Sequence, residues 1–200
     1  MFSWMDLKTH DVPATAEFFA AALGWEFLTD ETDWRRTTTI TVDGHLIGGV
    51  SDLSNPFYPP GTPPHIALYL EAEDADRRTE LAVSLGARLV VPPFDAGPLG
   101  RVATLVDPFG AAFSLWERKG FEGWTFPHTV LNAPQRVVLA CAKPEDACDF
   151  YEQTTGRPLF NAEFRQAGTP PVWEPAIKIG DGTEVQRLTS PEGLSVLLYG

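Results

Sequence analysis

Cysteine is scarce in this chain of 200 residues: there are two, Cys141 and Cys148. Two thiols cannot build the disulfide framework that holds many small secreted domains, and they read as small buried hydrophobes. Long apolar runs are missing as well. No segment approaches the roughly 20 residues a membrane helix requires, and the first residues lack the basic and apolar regions of a secretory leader. The expected location is therefore the cytoplasm, with no membrane partner. Basic residues are few, 15 Lys and Arg against 27 Asp and Glu, for a net charge of −12. That balance argues against a nucleic-acid partner, whose phosphates need clustered cations. Much of the acid, such as Glu71, Glu73, Asp74, Asp76 and Glu80, falls on or near helix faces and reads as solvated surface.

What is present is a core-forming composition, 44% hydrophobic, enough for one or two domains. The order of elements also repeats. Residues 64–91 read strand, helix, glycine, strand, and residues 100–117 (GRVATLVDPFGAAFSLWE) read as two further strands joined at Asp107-Pro108-Phe109-Gly110. Pro108 presets φ for that turn and Gly110 tolerates the positive φ that closes it. The same β-α-β-β-β order starts at Phe2. Asp11 there is a helix N-cap with Pro13 in the first turn, Gly24 ends the helix, and strands follow at 25–28, 34–42 and 45–50 around an Asp43-Gly44 turn. A third copy runs from Arg136, with a helix at 144–155 that stops at Gly156 and turns at Asp181-Gly182 and Pro191-Glu192-Gly193. The predicted class is α+β, built of repeated βαβββ modules. Residues 1–117 form one pair (1–50 and 65–117), 118–135 a linker, and 136–200 a third, less typical module.

These residues resemble the vicinal oxygen chelate superfamily, which includes glyoxalase I, extradiol dioxygenases and bleomycin-resistance proteins. The resemblance is carried by the run from Asp11 through Phe18-Phe19 to Leu23-Gly24-Trp25, by Leu85-Gly86-Ala87, and by Gly100-Arg101 followed by Asp107-Pro108-Phe109-Gly110. It implies a cup-shaped sheet made by two modules, with the ligand held in the cup. It also implies, for the enzymes of the superfamily, a divalent metal held by a His-type residue on the first strand and a Glu on the last strand of each module. Carried onto this chain, those positions fall on Trp4, on residues 65–67, on Ser114 and within 47–50. Indole donates only, so Trp4 is no ligand. His65 is the one family-like candidate, and Glu117 has the wrong strand parity to face the cup. In the third module the equivalent positions are Arg136 and Leu197. One histidine does not make the roughly three-ligand open site that Zn²⁺ or Fe²⁺ needs. The expectation is no cofactor, with a divalent metal as the alternative.

Strand alternation places Trp4, Asp6 and Lys8 on one face and Met5 and Leu7 on the other. The same logic groups His65, Ala67 and Tyr69, and separately Ala112, Ser114 and Trp116. Trp4, Asp6, His65, Tyr69, Ser114 and Trp116 are accordingly the candidate ligand-binding residues, an aromatic surface with a few polar handles. Asp6 and His65 are the candidates for general base and acid, should they converge. The proline-rich stretch 55–64 reads as a linker or as a rim with Phe57 and Tyr58, and Trp124 and Phe126 as docking groups of the second linker. A lone third module exposes a sheet edge, which a homodimer through 136–199 would cover. The functional expectation is a glyoxalase- or bleomycin-resistance-like protein that binds a small organic molecule without the metal. The alternatives are a metal-dependent lyase, isomerase or dioxygenase, and a non-catalytic scaffold whose cup is filled by Trp4 and Trp116.

Overall fold

The computed structural model describes residues 1–31, 37–168, 170–182 and 185–200. Its chain divides into two compact units, one of residues 1–3, 68–123 and 136–174, the other of residues 4–67, 124–135 and 175–200. Among the described residues no helix is long and apolar enough to cross a membrane.

In the unit built around the first module, β1 (Phe2–Thr9) leads into α1 (Val12–Leu23), then β2 (Glu26–Thr29), β3 (Thr38–Val42) and β4 (His45–Asp52). The four strands lie in the order β2-β3-β4-β1, with β4 parallel to β1. The strand predicted from residue 34 is described from Thr38 onward, and Trp34 lies outside the described residues. The helix begins where its sequence signals it: the Asp11 carboxylate accepts the Ala14 N–H at 3.0 Å. Its apolar stripe buries Phe19 and Leu23, and Phe19 stacks on Trp25 at 5.0 Å. The Asp43-Gly44 turn has positive φ at both residues, 49° and 73°, the geometry of a two-residue hairpin. Trp124 docks as anticipated, its indole N–H donating to the Ile47 carbonyl at 2.7 Å.

The other unit repeats the pattern. Here β5 (His65–Glu71), α2 (Ala75–Ser84), β6 (Arg88–Asp95), β7 (Gly100–Val106) and β8 (Ala112–Arg118) give the strand order β5-β8-β7-β6. The first three residues of β5 belong to the former unit. Asp74 caps α2 by accepting the Arg77 N–H at 2.9 Å. In the β7–β8 turn Gly110 sits at φ 108°, where an L side chain is strained. The Asp107 carboxylate closes the turn from beneath: one oxygen accepts the N–H groups of Phe109, Gly110 and Ala111 at 2.9, 2.7 and 2.8 Å. Its other oxygen accepts the Tyr151 hydroxyl at 2.9 Å.

The third stretch carries one strand more than β-α-β-β-β. It comprises β9 (Pro134–Cys141), α3 (Pro144–Thr155), β10 (Ala162–Gln166), β11 (Val172–Lys178), β12 (Val185–Thr189) and β13 (Ser195–Tyr199). Strand β10 runs parallel to β9, and β13 parallel to β11 with β12 antiparallel beside it. The reason β10 escapes a sequence reading is its mixed AEFRQ composition, which offers no clean alternation. Tyr151 on α3 is fully buried. Besides donating to Asp107, its hydroxyl accepts the Trp173 indole N–H at 2.7 Å, and Phe113 and Trp173 pack on its ring at 5.0 and 5.1 Å.

Candidate functional site

Polar groups concentrate on the face of β1 that alternation assigns to the ligand. Met5 and Leu7 are fully buried on the opposite face. Strand β4 pairs Gly49 with Asp6 and Ser51 with Lys8. A Cβ at Gly48 would come within 3.0 Å of the Met5 side chain, and one at Gly49 within 3.4 Å of an Asp6 carboxylate oxygen and 3.6 Å of the Trp4 ring. Glycine on β4 therefore lets the side chains of β1 lie flat across it.

Asp6, 7% exposed, accepts from Lys8 Nζ at 2.7 Å and from Ser51 Oγ at 2.6 Å through the same oxygen. Lys8 Nζ also donates to the Tyr58 hydroxyl at 3.1 Å and lies 4.8 Å from the centre of that ring. The proline-rich stretch is thus tied to the strand face through Tyr58, while Phe57 is 71% exposed. These bonds satisfy a carboxylate that burial would otherwise penalise.

His65 opens β5, with Nδ1 2.8 Å from the Pro63 carbonyl oxygen. A carbonyl only accepts, so Nδ1 carries the proton and Nε2 presents its lone pair. Burial lowers the His65 pKa, and the Lys8 charge lowers it further; the Pro63 hydrogen bond and Asp6 act in the opposite sense without reversing the shift. A folded-state value below the unfolded one means that stability is present above the ordinary histidine range and is lost as pH falls through the folded value. Thermal unfolding at pH 8 and pH 5 should therefore show a larger loss on acidification for the wild-type protein than for His65→Gln. Equal losses in the two proteins would contradict a neutral, half-buried imidazole.

The other three candidate residues lie in the second unit. Tyr69 stands opposite Ser114 in the β5–β8 register. Ser114 Oγ and Thr104 Oγ1 are 3.0 Å apart and satisfy each other. Trp116, 7% exposed, meets Tyr69 and Phe121 edge to face at 6.1 and 6.2 Å. Glu117 has the opposite parity, as predicted: its carboxylate accepts the Ala75 N–H at the start of α2. Arg136 is ion-paired with Glu163 at 3.4 Å.

The donors at the superfamily's metal positions do not fit a divalent ion. Trp4 offers an indole, Ser114 a hydroxyl already bonded to Thr104, β4 two glycines, and His65 a single imidazole. Among the described residues the one cluster of three potential ligands is Asp74, Asp76 and Glu117. Its members serve other ends: Asp74 and Glu117 cap α2, and Asp76 binds Arg101 at 2.6 and 2.9 Å.

Sequence reasoning proposed Asp6 and His65 and omitted Lys8 and Ser51, both of which bond to Asp6. Alternation alone places Lys8 beside Asp6. Ser51 requires the β1–β4 register, and no local pattern encodes it.

Comparison with known proteins agrees with the fold. The sequence model described as a glyoxalase-like domain matches residues 4–116. The anthracycline biosynthesis protein DnrV of Streptomyces peucetius is 31% identical over 194 residues, covering 90% of this chain and 67% of the relative. The putative glyoxylase CFP32 of Mycobacterium bovis is 28% identical over 159 residues, 77% of this chain and 59% of that protein. Among solved structures, the Mn(II)-bound glyoxalase of Novosphingobium aromaticivorans superposes with a TM-score of 0.65 at 13% identity, over 98% of this chain and 80% of the other.

Proposed function

This chain belongs to the glyoxalase-like domain family of the vicinal oxygen chelate superfamily, and within it we propose that the protein binds a small organic molecule without the superfamily's metal. Trp4, Asp6 and His65 are the residues proposed as ligand contacts of one unit, and Tyr69, Ser114 and Trp116 those proposed for the other, each set taken by itself. The observation that carries this reading is the cluster of Asp6, Lys8, Ser51 and Tyr58, with His65 in its field. At the positions where related enzymes would place metal donors this chain has Trp4, His65, Ser114 and the glycines of β4, while Asp6, Lys8, Ser51 and Tyr58 offer an ion pair and hydroxyls, groups that orient a polar substituent by hydrogen bonding. Trp4 and the ring of Tyr58 supply apolar surface beside them. A relative named for anthracycline biosynthesis supports an organic ligand over a macromolecular one.

Catalysis is a second reading, favoured by the bare Nε2 of His65. A neutral imidazole oriented by its Pro63 bond is fitted to take a proton from a bound ligand as a general base. Metal content and ligand binding measured on one preparation test the main reading. Small aromatic ligands should raise the melting temperature of EDTA-treated protein as much as that of untreated protein, and stabilisation that vanishes with EDTA would overturn it.

A further inference from the structure

Strand β6 is last in the order β5-β8-β7-β6, so β7 pairs with it on one side only. A bare edge invites another chain, and native strands commonly blunt it with charge. Between its terminal residues β6 instead exposes Leu89, Val90, Val91 and Phe94, each 36–48% accessible, and Leu99 adds to them from the turn that follows. All five lie within one compact unit. The counterpart in the first module, β2, is half as long and exposes one large hydrophobic, Leu28. An apolar run of this kind at the surface marks a contact site.

The backbone decides how a partner is held. Pro92 and Pro93 have no N–H to give, and the β6–β7 register slips between Leu89 and Val91 and again between Val91 and Phe94. Prolines and bulges stop a further strand from pairing along the edge, so side chains must carry the contact. The two ends of β6 are oppositely charged. Arg88 is exposed and forms no ion pair among the described residues. Asp95 meets Lys119 and Arg101 through Oδ1, at 2.8 and 3.4 Å, and keeps a second oxygen for another donor. A strand that is basic at one end, acidic at the other and apolar between is complementary to itself once turned end for end. We propose that β6 forms the contact of a twofold dimer in which the β6 strands of two copies lie antiparallel. Their apolar side chains pack together, and Arg88 of each copy meets the partner's Asp95. The apolar run supplies the affinity, and the two charge pairs set the register. This contact is separate from ligand binding.

Sedimentation velocity of the whole chain tests it. The wild-type protein should dimerise with a dissociation constant of about 10 µM or tighter. Val90→Lys, at an exposed position, should weaken the dimer at least tenfold. Arg88→Asp and Asp95→Arg should each do the same alone, because like charges then oppose each other at both ends. Mixed in equal amounts, those two variants should pair with close to wild-type affinity, since the mixture restores opposite charges at both contacts. Recovery in the mixture also shows that both variants are folded. A wild-type protein still monomeric at about 100 µM would overturn the proposal. So would a dimer indifferent to Val90→Lys, whose contact must then lie on another face, such as residues 136–199. Charge variants that each dimerise like the wild type, or a mixture that stays monomeric, would overturn it as well.

Discussion

Replacing Asp107 with alanine will lower the unfolding free energy by about 3–5 kcal/mol, because four donors lose the carboxylate at once and the Gly110 N–H alone keeps a second acceptor, the Asp107 carbonyl at 3.1 Å. Three are the backbone N–H groups of Phe109, Gly110 and Ala111, and the fourth is the Tyr151 hydroxyl. Phe109 and Gly110 reach solvent and will recover part of the loss from water, but Ala111 and Tyr151 are buried. Each buried donor left unsatisfied costs about 1–3 kcal/mol. Burial raises the Asp107 pKa even against these donors, a sign of how far the group is withdrawn from water. The loss extends beyond the turn, because Tyr151 also receives the Trp173 indole and sits among Phe113, Phe164 and Trp173. Tyr151→Phe removes one hydroxyl and keeps the ring, so its cost should be smaller, about 1–3 kcal/mol. Urea unfolding of the three proteins measures both differences. A cost below about 1 kcal/mol for Asp107→Ala would show that the turn stands without its carboxylate.

The second large effect is expected at Lys8. Both members of its pair with Asp6 are shielded, with side-chain exposures of 13% and 10%. Lys8→Met takes away the cation and leaves Asp6 with Ser51 as its remaining side-chain donor, at a cost of about 2–4 kcal/mol. The same change releases the Tyr58 hydroxyl, so residues 55–64 should be cut faster by protease. Asp6→Asn, made in the Lys8→Met background, removes the uncompensated charge and should restore at least about 1 kcal/mol. A double-mutant cycle by chemical denaturation reads the coupling directly. If the two single costs simply add, the pair is a surface contact without energetic consequence and the polar cluster is not a built feature.

Much of the fold is legible in the sequence because its punctuation is local. Asp11 and Asp74 cap helices through bonds that span three residues, and Gly24, Gly86 and Gly156 mark the helix ends with positive φ. The hairpin at Asp107 to Gly110 is encoded by proline and glycine in the positions their dihedral limits require. Alternation along β1 also assigns Trp4, Asp6 and Lys8 to one face, which the Asp6–Lys8 bond bears out. What stays hidden depends on contacts between residues distant in the chain. The Tyr151 hydroxyl meets Asp107 across 44 residues, and Ser51 meets Asp6 across 45. No local periodicity carries either pairing.

The metal independence proposed above would set this chain apart from the Mn(II)-bound glyoxalase whose fold it shares, and metal content tests it most directly. The protein is incubated in turn with Mn²⁺, Fe²⁺, Ni²⁺ and Zn²⁺, desalted, and its metal quantified by mass spectrometry. The predicted result is far less than one equivalent per chain for every ion, with no difference between the wild-type protein and His65→Ala. Close to one tightly held equivalent, lost on His65→Ala, would contradict it and make His65 a metal ligand.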